Sequence, residues 1–122
     1  MRLLDGARIL VIDDDALVRS ALSRQLSTLG CVPEVASSGR EGLELVGSHA
    51  FDAAIVDLNM PDMGGPETVD QIKKLSTVPV IVISAALNLR GAQLGNVARL
   101  PKPFALHELQ AALEAALVVK RT

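Results

Sequence analysis

Five short apolar runs alternate along the chain with longer segments whose apolar residues recur every three or four positions. The runs are rich in Val, Ile and Leu, a pattern typical of strands buried on both faces of a sheet. They cover residues 9–12, 31–36, 51–56, 78–83 and 97–100. This alternation predicts an α/β fold, a doubly wound five-stranded parallel sheet with helices on both faces.

The first predicted helix covers residues 16–29. We interpret Asp15 as its N-cap rather than as a metal ligand, and Gly30 as the glycine that ends it. The apolar stripe of this helix is predicted to contain Leu17, Ala21, Leu22, Leu26 and Leu29. The residues predicted to face away from the core are Arg19, Ser20, Ser23 and Arg24.

The second strand and the second helix carry weaker signals. Pro33 lies inside the second strand and predicts that this strand is at an edge of the sheet. Ser38 and Glu41 have the spacing of a capping box, which predicts a helix start at this point. Gly42 and Gly47 lower the helix propensity of the segment that follows, up to about residue 48.

The remaining helices are predicted from their apolar stripes. The third begins near Pro66, a residue that suits a first helical position, and its stripe consists of Val69, Ile72 and Leu75. The fourth, over residues 87–96, is expected to be short or irregular because it contains two glycines. The last helix has its stripe at Leu106, Leu109, Leu113 and Leu117.

Composition and charge narrow the class of protein. With 122 residues, 49% of them apolar, the chain is expected to form one domain with a single core. The net charge of −2 provides no basic surface for nucleic acid. We expect neither a membrane span nor a signal peptide before the first strand. Cys31 has no second cysteine to pair with, which favours a buried thiol and a cytoplasmic, reducing location.

Polar side chains follow the ends of four predicted strands. They are the acidic run 13–15 after the first strand, Asp57 after the third, Ser84 after the fourth, and Lys102 after the fifth. Because the carboxyl ends of parallel strands share one edge of a sheet, we expect these groups to converge. Clustered carboxylates repel one another unless a cation neutralises them or one is protonated, and Mg²⁺ prefers such oxygen ligands.

The chemistry predicted for this edge is attack by the Asp57 carboxylate on a phosphoryl group, giving an acyl phosphate. Lys102 would neutralise phosphoryl oxygens and Ser84 would donate a hydroxyl proton. Each residue also has a structural interpretation, as a turn cap, a turn hydroxyl or a solvated surface lysine. His49 and His107 lie away from the predicted edge, and we expect structural roles for them.

Four motifs, taken in order, resemble the receiver domain of bacterial two-component response regulators. They are Ile-Leu-Val-Ile-Asp-Asp-Asp at 9–15, Asp-Leu-Asn-Met-Pro-Asp-Met at 57–63, Ser-Ala at 84–85, and Leu-Pro-Lys-Pro-Phe at 100–104. The resemblance spans about residues 7–117. It implies a flavodoxin-like fold with strand order 2-1-3-4-5, and one receiver domain over residues 1–122 with its core at about 7–118.

The resemblance also implies a metal site and a phosphoacceptor. Asp57 corresponds to the aspartate that takes the phosphoryl group from a histidine of a sensor kinase or phosphotransfer protein. Asp14 corresponds to a direct Mg²⁺ ligand and Asp13 to one that acts through water. Asp57 also belongs to this metal set. Asn59 offers its backbone carbonyl to Mg²⁺, and its side chain occupies the position that tunes dephosphorylation.

Two further residues correspond to the switching apparatus. Ser84 matches the hydroxyl that moves to meet the phosphoryl group, and Lys102 matches the lysine that contacts it. The bond between Lys102 and Pro103 is expected to be cis. Arg99 is predicted as a second switch residue by its position three before the lysine, although it departs from the family pattern, which usually has an aromatic residue there. We expect Arg99 to contact a partner acid or solvent instead.

Several functions remain open at this stage. The first is a phosphorylation-controlled signalling switch that catalyses its own phosphotransfer and slow autodephosphorylation, without turnover of a separate substrate. It would change its surface towards an unknown output partner, and dimerisation on phosphorylation is open. The second is a pseudo-receiver that serves only as an interaction module. A receiver excised from a hybrid sensor kinase is also open, because the segment between Ser84 and Lys102 looks short. A hydrolase that forms an aspartyl phosphate lacks room for its general acid and cap.

Overall fold

The computed structural model describes residues 3–60, 64–85 and 97–121. Its strands are β1 (Arg8–Ile12), β2 (Val32–Ala36), β3 (Ala53–Asp57), β4 (Val80–Ala85) and β5 (Ala98–Lys102). Its helices are α1 (Ala16–Thr28), α2 (Gly39–Ser48), α3 (Gly65–Leu75) and α4 (Leu106–Arg121). The five predicted strands are therefore present, with their ends moved by no more than two residues.

All five strands run parallel, in the order β2-β1-β3-β4-β5. This topology confirms the predicted doubly wound sheet. It also confirms that β2, which contains Pro33, is an edge strand. The three central strands carry the most apolar sequences, because helices cover them on both faces and leave no solvent-facing side.

The core consists of two layers, one on each face of the sheet. Alternate residues of a strand point to opposite faces, so Ile9 and Val11 pack with α1 and α4, whereas Leu10 and Ile12 pack with α2 and α3. Cys31 lies in the first layer, and burial raises the pKa of its thiol to about 11. The thiol is therefore a small buried hydrophobe, as predicted.

The predicted helix caps are present. Asp15 Oδ1 accepts hydrogen bonds from the backbone N–H groups of Leu17 (2.9 Å) and Val18 (3.4 Å), which confirms it as the N-cap of α1. Ser38 Oγ accepts from the N–H of Glu41 at 3.1 Å, at the start of α2. Gly30 follows the end of α1 with a φ of 90°, a left-handed conformation that glycine adopts without a side-chain clash.

Part of the predicted apolar stripe of α1 is wrong. Leu17 is 81% exposed and Ala21 is also exposed, whereas Val18, Leu22 and Leu26 face the core. Residues 18, 22 and 26 follow a spacing of four, and residues 17 and 21 lie one position earlier, about 100° around the helix. The helix therefore has two adjacent apolar rows in its sequence, and only the row with Val18, Leu22 and Leu26 packs against the sheet.

Leu75 and Leu106 were also predicted to be buried and are exposed, by 59% and 37%. Leu75 is the last residue of α3 and Leu106 the first of α4. The end of a helix has fewer residues packed around it than its middle. An apolar residue there can follow the helical spacing and still be exposed to solvent.

The structure tests the predicted cis peptide bond but not the predicted fourth helix. The Lys102–Pro103 peptide bond is cis, as predicted. The short helix predicted over residues 87–96 lies outside the described residues. Among the helices that the structure describes, none is long and apolar enough to cross a membrane.

The two glycines of α2 have opposite surroundings. A Cβ atom on Gly42 would overlap Ile12 Cδ1 and lie 2.7 Å from Ile12 Cγ1, whereas a Cβ on Gly47 would meet nothing within 4 Å. Ile12 is fully buried and cannot move aside freely. Glycine at position 42 therefore lets α2 approach β1 closely, although it lowers helix propensity.

We expect Gly42→Ala to lower the free energy of unfolding by about 1–2 kcal/mol, because overpacking outweighs the gain in helix propensity. Gly47→Ala should raise it by about 0.5–1 kcal/mol. Urea denaturation of both variants measures the difference. Equal stabilities would show that α2 does not depend on the contact between Gly42 and Ile12.

Candidate functional site

Three carboxylates meet at the carboxyl edge of the sheet. One carboxylate oxygen from each of Asp13, Asp14 and Asp57 lies within 4.8 Å of the others. Asp13 follows β1 and Asp57 is the last residue of β3, and these two strands are neighbours in the sheet. Asp13 is 0% exposed and Asp57 is 4% exposed, whereas Asp14 is open to solvent. The parallel sheet thus brings together acids that are far apart in the sequence.

Asp13 is held by its backbone and by one carboxylate oxygen. Its N–H donates to Ala36 O at 3.1 Å, and its Oδ1 accepts from the N–H of Asp15 at 2.9 Å. Its backbone carbonyl accepts from Arg19 Nη1 at 2.8 Å. The remaining atom, Oδ2, is buried and has no hydrogen-bond partner among the described residues. The side chain therefore directs one free acceptor towards the cluster.

Arg19 is a residue whose place in the site the sequence did not reveal. It was predicted to face away from the core, but it is half-buried and reaches back over the first turn of α1 to Asp13. The sequence signal was weak, because a single arginine six positions after an aspartate has no distinctive spacing.

Lys102 provides a positive charge close to both buried acids. Its Nζ lies 3.8 Å from Asp13 Oδ2 and 3.7 Å from Asp57 Oδ1. These distances allow ionic attraction but exceed the usual length of a hydrogen bond. The lysine side chain is 33% exposed, so solvent screens part of its charge. One lysine thus faces two buried carboxylates without fully satisfying either.

The electrostatic consequence is a rise in the pKa of both buried acids. Burial raises the pKa of Asp13, and the nearby charge of Asp57 raises it further, against the lowering effect of its hydrogen bond from Asp15. Burial likewise raises the pKa of Asp57, against the lowering effects of its hydrogen bond from Asn59 and of Lys102. Both carboxylates are therefore ionised at a cost that an added cation would relieve.

Asn59 connects Asp57 to Ser84. Its backbone N–H donates to Asp57 Oδ1 at 3.2 Å, and its side-chain Nδ2 donates to Ser84 Oγ at 3.1 Å. Ser84 is fully buried in β4, next to the strand that ends on Asp57. The predicted switch hydroxyl is thus held, in this state, as a hydrogen-bond acceptor.

The start of α3 presses against the end of β3. A Cβ atom on Gly65 would overlap the backbone of Leu58 and lie 2.5 Å from the carbonyl oxygen of Asp57. Only glycine allows helix and strand to approach this closely. The backbone that follows Asp57 is therefore fixed by packing as well as by hydrogen bonds.

The donor set suits a hard divalent cation. It consists of carboxylate oxygens from Asp13, Asp14 and Asp57, one of which, Asp13 Oδ2, is buried without a hydrogen-bond partner in the described part of the chain. Mg²⁺ binds few carboxylates and retains waters as its other ligands. The residues present therefore fit this ion. The backbone carbonyl of Asn59 stays a predicted ligand.

Three residues lie apart from the cluster. Arg99 is exposed on β5, in register with Val82 of β4, and its part in switching stays a prediction. His49 contacts Ser48 and Phe51 at the opposite edge of the sheet, where β3 begins. His107 is exposed in the first turn of α4.

The raised pKa of Asp57 predicts that its ionised carboxylate lowers the free energy of unfolding at neutral pH. Its ordinary value is 3.8, and the folded protein binds this proton more tightly than the unfolded chain. Without a divalent cation, Asp57→Asn should therefore stabilise the protein at neutral pH by about 1 kcal/mol. The gain should disappear as the pH falls towards 3.8.

Thermal unfolding with a chelator, from pH 7 down to pH 4, measures this effect. Asp70→Asn is the matched control, because Asp70 is exposed and forms only a surface ion pair with Lys74. Wild-type protein that is as stable as Asp57→Asn at neutral pH would contradict the burial penalty.

Comparison with known proteins places this geometry in a family. The family model "Response regulator receiver domain" matches residues 9–114. The response regulator MprA of Mycolicibacterium vanbaalenii is 41% identical over 115 residues, which cover 90% of this chain and 50% of that protein. The chain thus spans about half the length of the curated relatives that it matches.

Solved structures agree in fold. A response regulator receiver domain from Clostridium thermocellum is 30% identical with a TM-score of 0.87, over 94% of this chain and 97% of that one. The receiver domain of the Pseudomonas aeruginosa sensor histidine kinase PA1611, which holds a magnesium ion in its active site cleft, is 25% identical with a TM-score of 0.85. The alignment covers 93% of this chain and 98% of that one. By fold, motif order and sequence identity, the chain belongs to the response regulator receiver domain family.

Proposed function

We propose that this chain is a phosphorylation-controlled signalling switch. Asp57 accepts a phosphoryl group from a phosphohistidine of a sensor kinase or a phosphotransfer protein. The observation that carries this proposal is the buried Asp57 carboxylate, with Lys102 Nζ at 3.7 Å and two further acids beside it. A buried acid cluster is destabilising unless it is used, so its presence supports a chemical role rather than a scaffold.

The proposed transfer is a displacement at phosphorus. A carboxylate oxygen of Asp57 attacks the phosphorus atom, the bond between phosphorus and the histidine nitrogen breaks, and the imidazole leaves as a neutral base after taking up a proton. The product is an acyl phosphate on Asp57. Lys102 stabilises the charge on the phosphoryl oxygens, and the fixed backbone after Asp57 holds the nucleophile in place.

Mg²⁺ is the proposed cofactor. Asp14 and Asp57 would hold it directly, Asp13 through water and Asn59 through its backbone carbonyl. When bound, the ion supplies positive charge that neutralises phosphoryl oxygens during transfer. The same residues then admit water for slow hydrolysis of the acyl phosphate. The chain thus catalyses its own phosphorylation and dephosphorylation without turning over a separate substrate.

Switching is proposed to begin at Ser84. Its hydroxyl accepts from Asn59 Nδ2 in the present state and keeps its own proton, which it can donate to a phosphoryl oxygen that the side chain reaches. Ser84 and Lys102 lie on neighbouring strands, and their movement would alter the surface around β4 and β5, including Arg99. That surface would then bind an output partner or a second phosphorylated copy of the chain.

The setting of the domain has two candidates. The MprA relatives support a response regulator, whereas the PA1611 receiver supports a domain of a hybrid sensor kinase. Both settings use the same chemistry at Asp57. A single receiver domain over residues 1–122 and a cytoplasmic location stay predictions. A pseudo-receiver is disfavoured by the complete set of three acids, Ser84 and Lys102.

Incubation with phosphoramidate should add one phosphoryl group to the protein, visible in its intact mass. Phosphoramidate is a suitable donor because its bond from phosphorus to nitrogen resembles that of phosphohistidine. The adduct should require Mg²⁺, disappear with a chelator, and be absent from Asp57→Asn.

Asp70→Asn should be phosphorylated as fast as wild type, because this exposed acid of α3 lies outside the cluster. An adduct that persists in Asp57→Asn would move the phosphoacceptor elsewhere. If phosphoramidate and a phosphorylated histidine phosphotransfer protein both left the chain unmodified, the interaction-module function would take the place of this proposal.

Ser84→Ala should separate phosphorylation from switching. We expect this variant to form the adduct at Asp57, but to lose the change in amide hydrogen exchange that phosphorylation causes in β4 and β5 of wild type. Ser48→Ala, on the exposed end of α2, is the control that should retain the change. A wild-type response in Ser84→Ala would exclude Ser84 as the switch hydroxyl.

A further inference from the structure

We propose that Arg19 is a positioning residue for the acidic cluster, which fixes the turn that carries Asp13 and Asp14 and thereby sets the affinity for Mg²⁺. This inference rests on the proposed function, because it concerns the same site. It goes beyond the acids and Lys102 to a residue on α1 that contacts neither the ion nor the phosphoryl group.

The geometry that supports the inference is a double attachment of Arg19 to the turn between β1 and α1. Its side-chain Nη1 donates to the carbonyl oxygen of Asp13 at 2.8 Å, and its backbone N–H donates to the carbonyl oxygen of Asp15 at 3.0 Å. The guanidinium therefore ties the first acidic residue of the turn to the second turn of the helix.

This tie determines where the carboxylates point. The Asp13 carbonyl belongs to the peptide that joins Asp13 to Asp14, so the hydrogen bond from Arg19 fixes the plane of that peptide. The N–H of Asp15 then holds Asp13 Oδ1, and only Oδ2 stays free to face the cluster. Without the guanidinium, the peptide would gain rotational freedom and the two acids would lose their common orientation.

The chemistry of arginine suits this task. A guanidinium is planar and permanently charged, and it gives a directional, charge-assisted hydrogen bond that the point charge of a lysine does not reproduce. Arg19 is half-buried, so solvent competes only weakly for its hydrogen bond to Asp13. Arg24, on the same helix, is exposed. Outer residues that orient metal ligands typically change metal affinity about 10-fold or more when they are removed.

The sign of the effect distinguishes positioning from simple electrostatics. Removal of a positive charge near an anionic site strengthens the attraction of that site for Mg²⁺. If Arg19 acted only through its charge, Arg19→Met would bind Mg²⁺ more tightly than wild type. A positioning role predicts weaker binding despite the lost charge.

Isothermal titration with Mg²⁺ alone tests the inference on wild type and on Arg19→Met, with Arg24→Met as a control of equal charge on the same helix. We expect the Kd of Arg19→Met to be about 10-fold higher than that of Arg24→Met. In metal-free protein, the Asp15 amide, which donates to Asp13, should exchange its hydrogen faster in Arg19→Met.

Arg19→Lys and Arg24→Lys form a second pair that conserves charge, and they decide the question if Arg19→Met does not fold. The Kd of Arg19→Lys should exceed that of Arg24→Lys by at least about threefold, because lysine keeps the charge without the planar fork. A thermal melt of each variant separates loss of stability from loss of affinity.

The positioning role would be overturned if each Arg19 variant had a Kd for Mg²⁺ within twofold of its Arg24 counterpart. Tighter Mg²⁺ binding by Arg19→Met than by wild type would overturn it as well. Wild-type protein that binds no Mg²⁺ would contradict the proposed function itself. Wild-type binding with unchanged Arg19 variants would contradict this inference alone.

Discussion

Burial of two carboxylates beside a third acid is the constraint on which the site depends. Asp13 and Asp57 lie at the ends of neighbouring strands and are almost inaccessible to water, and this loss of hydration raises the pKa of both. Repulsion adds to it, from Asp57 on Asp13 and from the exposed Asp14 on Asp57. Lys102 offsets part of this repulsion from 3.7–3.8 Å, without hydrogen-bonding to either acid. The site is therefore electrostatically incomplete, and a divalent cation carries the positive charge that would complete it.

The surrounding structure keeps the acids in place against that repulsion. Three hydrogen bonds hold Asp13. Its backbone N–H donates to Ala36 O, its Oδ1 accepts from the N–H of Asp15, and its carbonyl oxygen accepts from Arg19. Close packing of Gly65 fixes the backbone beyond Asp57. These restraints use the backbone, the outer residues and one carboxylate oxygen of each buried acid, and they leave Asp13 Oδ2 without a hydrogen-bond partner among the described residues. A site that is held rigid while its charges stay unsatisfied is organised in advance for its ligand.

The same arrangement connects the acidic cluster to the neighbouring strands. Asn59 contacts Asp57 through its backbone and Ser84 through its side chain, so one residue connects the end of β3 to β4. Ser84 is fully buried and its strand pairs with β5, whose last residue is Lys102. Asp57 and Ser84 are thus connected through one side chain, and Ser84 and Lys102 through the pairing of β4 with β5.

The sequence by itself determined the strands, their burial and the convergence of Asp13, Asp57, Ser84 and Lys102. Apolar runs are a local pattern, and a parallel topology brings the carboxyl ends of all strands to one edge. The strand order followed only from the family resemblance. Tertiary packing decided which of two adjacent apolar rows of α1 faces the sheet, leaving Leu17 exposed. It also decided that Arg19 turns back to Asp13 and that Asn59 holds Ser84. Long polar side chains have many rotamers, and only the neighbours that the fold brings near select one of them.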